Sequence, residues 1–172
     1  MSKEIGPAFD IERGIIDLGG RRVVLHCNHY NVFLQRTIED GLKARAPRLL
    51  AAAGMETARN LLGGLEVKAP SASPRESLER AVRIFAEHGF GAIDISRMND
   101  QGGTATIARS HYAIGWRSRW GIRQTPGCYF PAGYLAGAVA IASNLAPERV
   151  VATETACYAA GAEQCTFVVE VW

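Results

Sequence analysis

Two stretches decide how this chain folds: Cys128-Tyr-Phe-Pro-Ala-Gly133-Tyr134-Leu-Ala-Gly137 and Glu154-Thr-Ala-Cys157-Tyr-Ala-Ala-Gly161-Ala-Glu-Gln-Cys165. The first follows Pro126-Gly127 and reads as an apolar helix that runs through Ser143. Gly133 and Gly137 fall on one face of it, leaving room for a neighbouring helix or a ligand. The second is the turn region of a hairpin between strands Val150–Glu154 and Thr166–Trp172. A turn at Gly161 brings Cys157 and Cys165 together. Zinc needs such convergence, because its ligand atoms sit about 2.0–2.3 Å from one tetrahedral centre. Cys128 opens the helix, where the N-terminal end favours a thiolate. Cys128, Glu154, Cys157 and Cys165 together fill four positions and leave none open, which describes a structural site. The same spacing also fits a small core cysteine beside an idle or disulfide-linked pair.

Working outward, Ser110–Trp120 reads as a short helix. Ala92–Ile95 and Thr104–Ala108 read as strands around the turn Asn99-Asp100-Gln101-Gly102-Gly103. Ser73, before Pro74 and three residues ahead of Glu76, is a helix N-cap. The helix after it carries Leu78, Ala81, Val82 and Phe85 on one face and closes at His88-Gly89, with His88 as a C-terminal cap. Ala69–Pro74 is a loop by composition. A helix from Ala46-Pro47 is expected to end at Gly63-Gly64. Another, with Tyr30, Phe33, Leu34, Ile38 and Leu42 at helical spacing, is capped by Asn28 or Asn31. Strands Gly14–Leu18 and Arg22–His26 pair through Gly19-Gly20. The order ββ-ααα-ββ-αα-ββ is a mixed α/β (α+β) arrangement, with helices packed on antiparallel sheet, over one domain spanning 1–172.

The segment Leu25-His26-Cys27-Asn28-His29-Tyr30 concentrates three metal-capable side chains. His26 and His29 share a face if both are helical. Either they form a metal or ligand site, or they are polar caps at a strand-to-helix corner. His111, Tyr112, Trp116 and Tyr134 flank the cysteine helix, and rings with one polar tip suit a pocket. With His26, His29 and Tyr30 they make the candidate ligand-binding set, with the pocket expected between the apolar helix after Cys128 and the helix starting near His29; ordinary core packing explains the aromatics equally well. Arg117, Arg119 and Arg123 read as a solvated face, or as a partner for a ligand carboxylate.

With 172 residues, 48% apolar and 21% charged, the chain can build a real core. A net charge of +2 gives no reason to expect a nucleic-acid partner. The longest apolar run, Ala136–Ala142, is far short of a membrane span. No apolar signal core opens the chain. The expectation is a cytoplasmic protein with reduced cysteines, which points to metal or reactivity rather than disulfides. Neither GxxxxGK[ST] nor GxGxxG occurs, which argues against an ATPase module or a self-sufficient nicotinamide or flavin reductase.

The two cysteine-bearing stretches resemble the 4-vinyl-reductase domain family, and in pattern the sensory domains of bacterial regulators that respond to phenol and xylene. In those domains a cysteine opens a helix reading C-W-x3-G-Y-x2-G, and a later E-x2-C-x7-C completes a zinc site. Cys128, Glu154, Cys157 and Cys165 match all four ligand types. Ser110-His-Tyr-Ala-x2-Trp116-x3-Trp120-Gly121 is similar to the helix before the first cysteine. The match covers about 110–172. Upstream, only the order of elements agrees, and the His26–His29 segment has no counterpart in that pattern. The resemblance implies the fold shared with transport-particle subunits and nitric-oxide haem sensors, an apolar pocket and a tendency to dimerise. It therefore implies a small-molecule-binding domain, a sensor or carrier, with structural zinc, a small apolar, aromatic or tetrapyrrole-like ligand and a homodimeric state. Signal output would then need a separate effector protein. The alternative is a metal-dependent enzyme or reductase-associated protein using a second metal or haem at His26, His29 and His111.

Overall fold

Helix α5 (Tyr129–Ala142) is buried without interruption from Pro131 to Ala140. A helix apolar all round has no solvent face and must be surrounded, and the other elements are arranged about it. This computed structural model describes residues 7–17, 20, 22–68, 71 and 73–172. In chain order the elements before α5 are β1 (Ala8–Asp10), β2 (Ile15–Asp17), β3 (Arg22–Val23), α1 (Asn28–Leu42), α2 (Ala46–Lys68), α3 (Pro74–Glu87), β4 (Ile93–Asn99), β5 (Gly102–Ile107) and α4 (His111–Trp120). After it come β6 (Val150–Ala156) and β7 (Cys165–Val171). One antiparallel sheet has the order β4-β5-β7-β6; a smaller one is β1-β2-β3.

The most extensive helix contact is α2 on α5. It is a backbone-to-backbone crossing: a Cβ on Gly133 would lie 1.8 Å from the Ala51 carbonyl oxygen, and one on Gly54 would lie 2.2 Å from that of Phe130. The room left by Gly133 and Gly137 is therefore taken by a helix. On the other side α5 and α3 pack against the larger sheet. Phe85, Ile107, Tyr134, Leu135, Val139 and Phe167 fill the space between.

Several elements follow the expectation and several do not. Ser73 caps α3, its hydroxyl accepting from Glu76 N at 3.2 Å, and Pro74 takes the first helical position. His88 is the C-cap of α3 and donates from Nδ1 to the Ile84 carbonyl at 2.7 Å. Helix α2 does not stop at Gly63-Gly64 but continues to Lys68. Glycine inside a helix costs only about 1 kcal/mol against alanine, and the packing of α2, with Leu62 fully buried, outweighs it. The N-cap position of α1 falls on Cys27, and not on Asn28 or Asn31, because the helix already begins at Asn28. The first sheet gains β1, and β3 ends at Val23, short of His26. The hairpin expected at Gly19-Gly20 falls partly outside the described residues, as do residues 69, 70 and 72 of the Ala69–Pro74 loop. Among the described residues no helix is long and apolar enough to cross a membrane.

Candidate metal centre and apolar cavity

Cys128 sits at the N-cap position of α5, so the helix start presents its sulfur inward. Cys157 and Cys165 come from either side of the β6–β7 turn, where Gly161 adopts the left-handed conformation (φ 100°) that closes it. Glu154 and Cys157 are an odd number apart and would point to opposite faces of a plain strand. The register shift between Glu154 and Ala156 absorbs the extra residue and returns Cys157 to the side of Glu154. As a result all four ligand atoms lie within 4.8 Å of one another.

The sulfur separations carry more information than proximity. They are 3.6 Å for Cys128–Cys165, 3.9 Å for Cys165–Cys157 and 4.0 Å for Cys128–Cys157. A tetrahedral ion with sulfur at about 2.3 Å requires about 3.8 Å between sulfurs. The carboxylate fits the same centre. Glu154 Oε2 accepts from Cys128 N at 2.7 Å, while Oε1 is buried with no hydrogen-bond partner. A buried orphan oxygen is costly unless a ligand completes it. The donor set and spacing therefore fit a tetrahedral metal ion.

The electrostatics agree. Burial, together with the charge of Cys157, pushes the Glu154 carboxyl up to about 7. Cys157 is held far below the usual thiol range because it accepts from the Cys128 and Cys165 thiols. Cys128 is pushed well up by donating to those two and by burial. Cys165 accepts from Cys128, which lowers it, but donation to Cys157 and burial outweigh this and leave it raised. These shifts favour the thiolate at Cys157 over the other two; a divalent ion would supply the charge needed to ionise the rest. Outside the ligands, Ser110, the fully buried N-cap of α4, places its hydroxyl 3.2 Å from Cys128 Sγ. The cap pattern of Ser110 is visible in the sequence; its meeting with Cys128 is not. Tyr158 N–H donates to Cys165 Sγ at 3.5 Å.

The histidines are arranged differently. His26 and His29 are exposed, and His26 stacks on exposed Tyr30 at 4.3 Å. His111 is part-buried, accepts from the Asn31 amide at 3.4 Å and has its pKa lowered by burial. Among the described residues the Cys/Glu cluster is the one group of three or more side chains able to share a metal, so His26, His29 and His111 are not brought together. Cys27 is likewise exposed. Tyr112 stacks with Phe90, and Trp116 lies under Arg123 at 4.2 Å and against Trp120.

The arginines are not a simple solvated face. Arg123, with 9% of its side chain exposed, pairs with Glu39 of α1 at 3.2 Å and donates to Tyr129 Oη at 3.1 Å. Arg117 lies over Tyr158 at 4.4 Å. Arg123 meets a carboxylate of its own chain, and that pair fastens α1 to the loop preceding Cys128. Gln35 supports it, donating to the Gly127 carbonyl at 2.8 Å.

A cavity of about 260 Å³ opens between α2, α3 and α5, with walls from Leu61, Phe85, Phe90, Phe130 and Tyr134 and with His88 and Thr57 at its edge. Of the candidate ligand-binding residues named from sequence, Tyr134 alone lines it. Sequence reasoning places a pocket between α5 and α1; in the structure α1 packs on α4 instead, and α2 and α3 form the walls. The aromatic positions Phe85, Phe90 and Phe130 are readable from sequence only as core. A larger groove of about 450 Å³ between α2, α5 and β6 is lined mainly by small and aliphatic residues, with no aromatic wall.

A helix-and-antiparallel-sheet fold whose C-terminal hairpin is tied to a buried helix by three cysteines and a glutamate defines a recognisable class. Residues 117–171, which contain all four of those side chains, match the family model of the 4-vinyl-reductase domain. The chain is similar in structure to the phenol-responsive sensory domain of the transcription activator PoxR with phenol (TM-score 0.81, 19% identity, 96% of this chain and 84% of that one). It is also similar to a vinyl-4-reductase family protein from Methanocaldococcus jannaschii (TM-score 0.57, 18% identity, 87% of this chain and 84% of that one). No curated protein matches it in sequence. The resemblance to the 4-vinyl-reductase domain family, and the α+β fold it implies, are borne out by these matches.

Proposed function

We propose that this chain is a small-molecule-binding domain, a sensor or carrier for a small aromatic ligand, with a structural zinc ion at Cys128, Glu154, Cys157 and Cys165. The observation that carries it is the aromatic-walled cavity of about 260 Å³ set against α5, the helix that the cysteine cluster ties to the sheet. A ligand there gains mainly from apolar burial, at about 25 cal/mol per Å² removed from water. The phenol-responsive neighbour supports the ligand class, and the sulfur spacing supports zinc. With its four positions filled by protein, zinc supplies a cross-link and no open site for chemistry.

A homodimer belongs to this reading. Phe9 of β1, Ile11 in the turn after it, Val24 and Leu25, and Tyr30 and Phe33 of α1 are exposed apolar side chains that a second copy would cover. Signal output would pass to a separate effector protein.

Native mass spectrometry of freshly purified protein reads zinc, ligand and copy number together. The expected result is one zinc per chain, two chains and an adduct of small aromatic mass. A full zinc complement retained by Cys165→Ser protein would refute the metal assignment.

A further inference from the structure

Each of the four side chains in the cluster meets a hydrogen-bonding group that is not itself a ligand atom. Glu154 Oε2 accepts from Cys128 N at 2.7 Å, and Cys165 Sγ from Tyr158 N at 3.5 Å. Cys157 takes the backbone N–H of Gly127. Cys128 is met by a side chain, with Ser110 Oγ 3.2 Å from its sulfur. The first three groups are main chain, which no substitution at their positions other than proline removes. Ser110 is different, because its hydroxyl can be deleted without touching the backbone.

The place of that hydroxyl is fixed by its surroundings. Ser110 is the N-cap of α4 and has no exposed surface. His111 N–H donates to the Phe90 carbonyl at 3.0 Å and Ile114 N–H to the Ser110 carbonyl at 2.9 Å, which holds the backbone around it. Ala113 N–H reaches Ser110 Oγ at 3.5 Å and occupies one lone pair of the oxygen, so the cap leaves the hydroxyl proton unused. A cysteine that ligates a metal is a thiolate and has no proton to give. At the loaded centre Ser110 is therefore the donor and Cys128 the acceptor.

We propose that Ser110 is a positioning residue of the metal centre, whose hydroxyl donates to the Cys128 thiolate and sets how tightly the ion is held. The inference rests on the zinc reading of the cluster. Three thiolates and a carboxylate carry twice the charge of a divalent ion, and Cys128, Cys157 and Cys165 are at most 1% exposed. Water cannot spread that excess charge, so hydrogen bonds from outside the ligand set must do so. Partners of this kind are worth about 10–100-fold in metal affinity. The helix starts add to it: Ser110 caps α4 and Cys128 stands at the N-cap of α5, so two helix N-termini meet at one sulfur.

The test uses the full chain, unaltered and as Ser110→Gly and Ser110→Ala, loaded with zinc or with cobalt(II). Glycine is nearly as good an N-cap as serine and alanine is a poor one, so the pair separates capping from donation. Competition with a chromophoric chelator should show zinc held about tenfold more weakly by both variants. In the cobalt form the sulfur-to-metal charge-transfer band should move to longer wavelength in both, because a thiolate that loses a hydrogen bond gives up an electron more readily. A serine that only caps α4 would not move that band. Either an unmoved band or zinc affinity within about twofold of the unaltered chain in Ser110→Gly overturns the inference and leaves the zinc reading standing. An unaltered chain that takes up no zinc and shows no charge-transfer band with cobalt overturns both. Neutron diffraction of the unaltered zinc-loaded chain decides the point even if neither variant folds. The Ser110 deuteron should lie between Oγ and Cys128 Sγ, and a deuteron turned elsewhere overturns the donation.

Discussion

Gly133→Ala tests the arrangement that positions both the metal centre and the cavity. The added Cβ would sit 1.8 Å from the Ala51 carbonyl oxygen, 2.6 Å from its carbon and 2.8 Å from its Cα. Real Cβ atoms keep beyond 3.0 Å, so α2 and α5 must separate locally by about 1.2 Å, the difference between 3.0 Å and 1.8 Å. All three obstructing atoms are backbone, and no rotamer change relieves them. A radial gap of 0.5–1 Å already forfeits about a quarter to a half of a contact's dispersion energy, and this interface is the most extensive helix contact of the fold. Overpacking typically costs about 1–3 kcal/mol, and loosening the neighbouring contacts adds to it. The gain from replacing glycine by alanine in a helix, about 1 kcal/mol, offsets part. A net loss of about 2–3 kcal/mol follows, or a fall in melting temperature of about 4–12 °C for a chain of this size. Urea unfolding measures it directly. Gly41→Ala in α1, where an added Cβ meets nothing within 4 Å, is the internal control and should stabilise by about 0.5–1 kcal/mol. If the two substitutions change stability equally, or Gly133→Ala is neutral, the close crossing of α2 and α5 is wrong.

Three further outcomes follow from the same packing. A strong chelator should lower the melting temperature of the intact protein and leave Cys157→Ser protein unaffected, because the metal's binding energy is folding energy; equal effects on both would count against the site. Glu39→Gln strands the Arg123 charge at 9% exposure and should cost about 2–3 kcal/mol in urea unfolding, less than the ~3–5 of a fully buried pair, whereas Glu39→Leu with Arg123→Met should recover most of it; no recovery would mean that packing, and not the charge pair, holds α1. His111 has its folded pKa lowered by burial, so the unfolded chain binds its proton first. Stability should be undiminished above pH 6.5, fall as pH drops below it and stop falling once His111 is protonated in the folded state, and His111→Gln should flatten that part of the pH profile.

The residue types and spacings of this chain were enough to determine its strand and helix order from α1 onward, the Ser73 and His88 caps, and the four side chains that form the cluster. These are local or near-local properties. Apolar periodicity, cap chemistry and a turn at Gly161 act over a few residues, so they are legible without coordinates. Zinc geometry also demands particular side chains, which narrows the choice before any fold is known. The tertiary structure decided the rest. Gly63-Gly64 looks like a stop, but packing of α2 outweighs the small cost of glycine in a helix. Arg123 looks solvated until Glu39, 84 residues away, closes on it. His26, His29 and His111 look like a site, yet the chain directs the first two outward and turns the third toward Asn31. The cavity moves from α1 to α2 and α3, because a concave surface belongs to the gap between elements and to no single one of them. His88 shows the division most clearly. Its capping role depends on Ile84, four residues away, whereas its place at the edge of the cavity depends on where α2 and α5 come to rest.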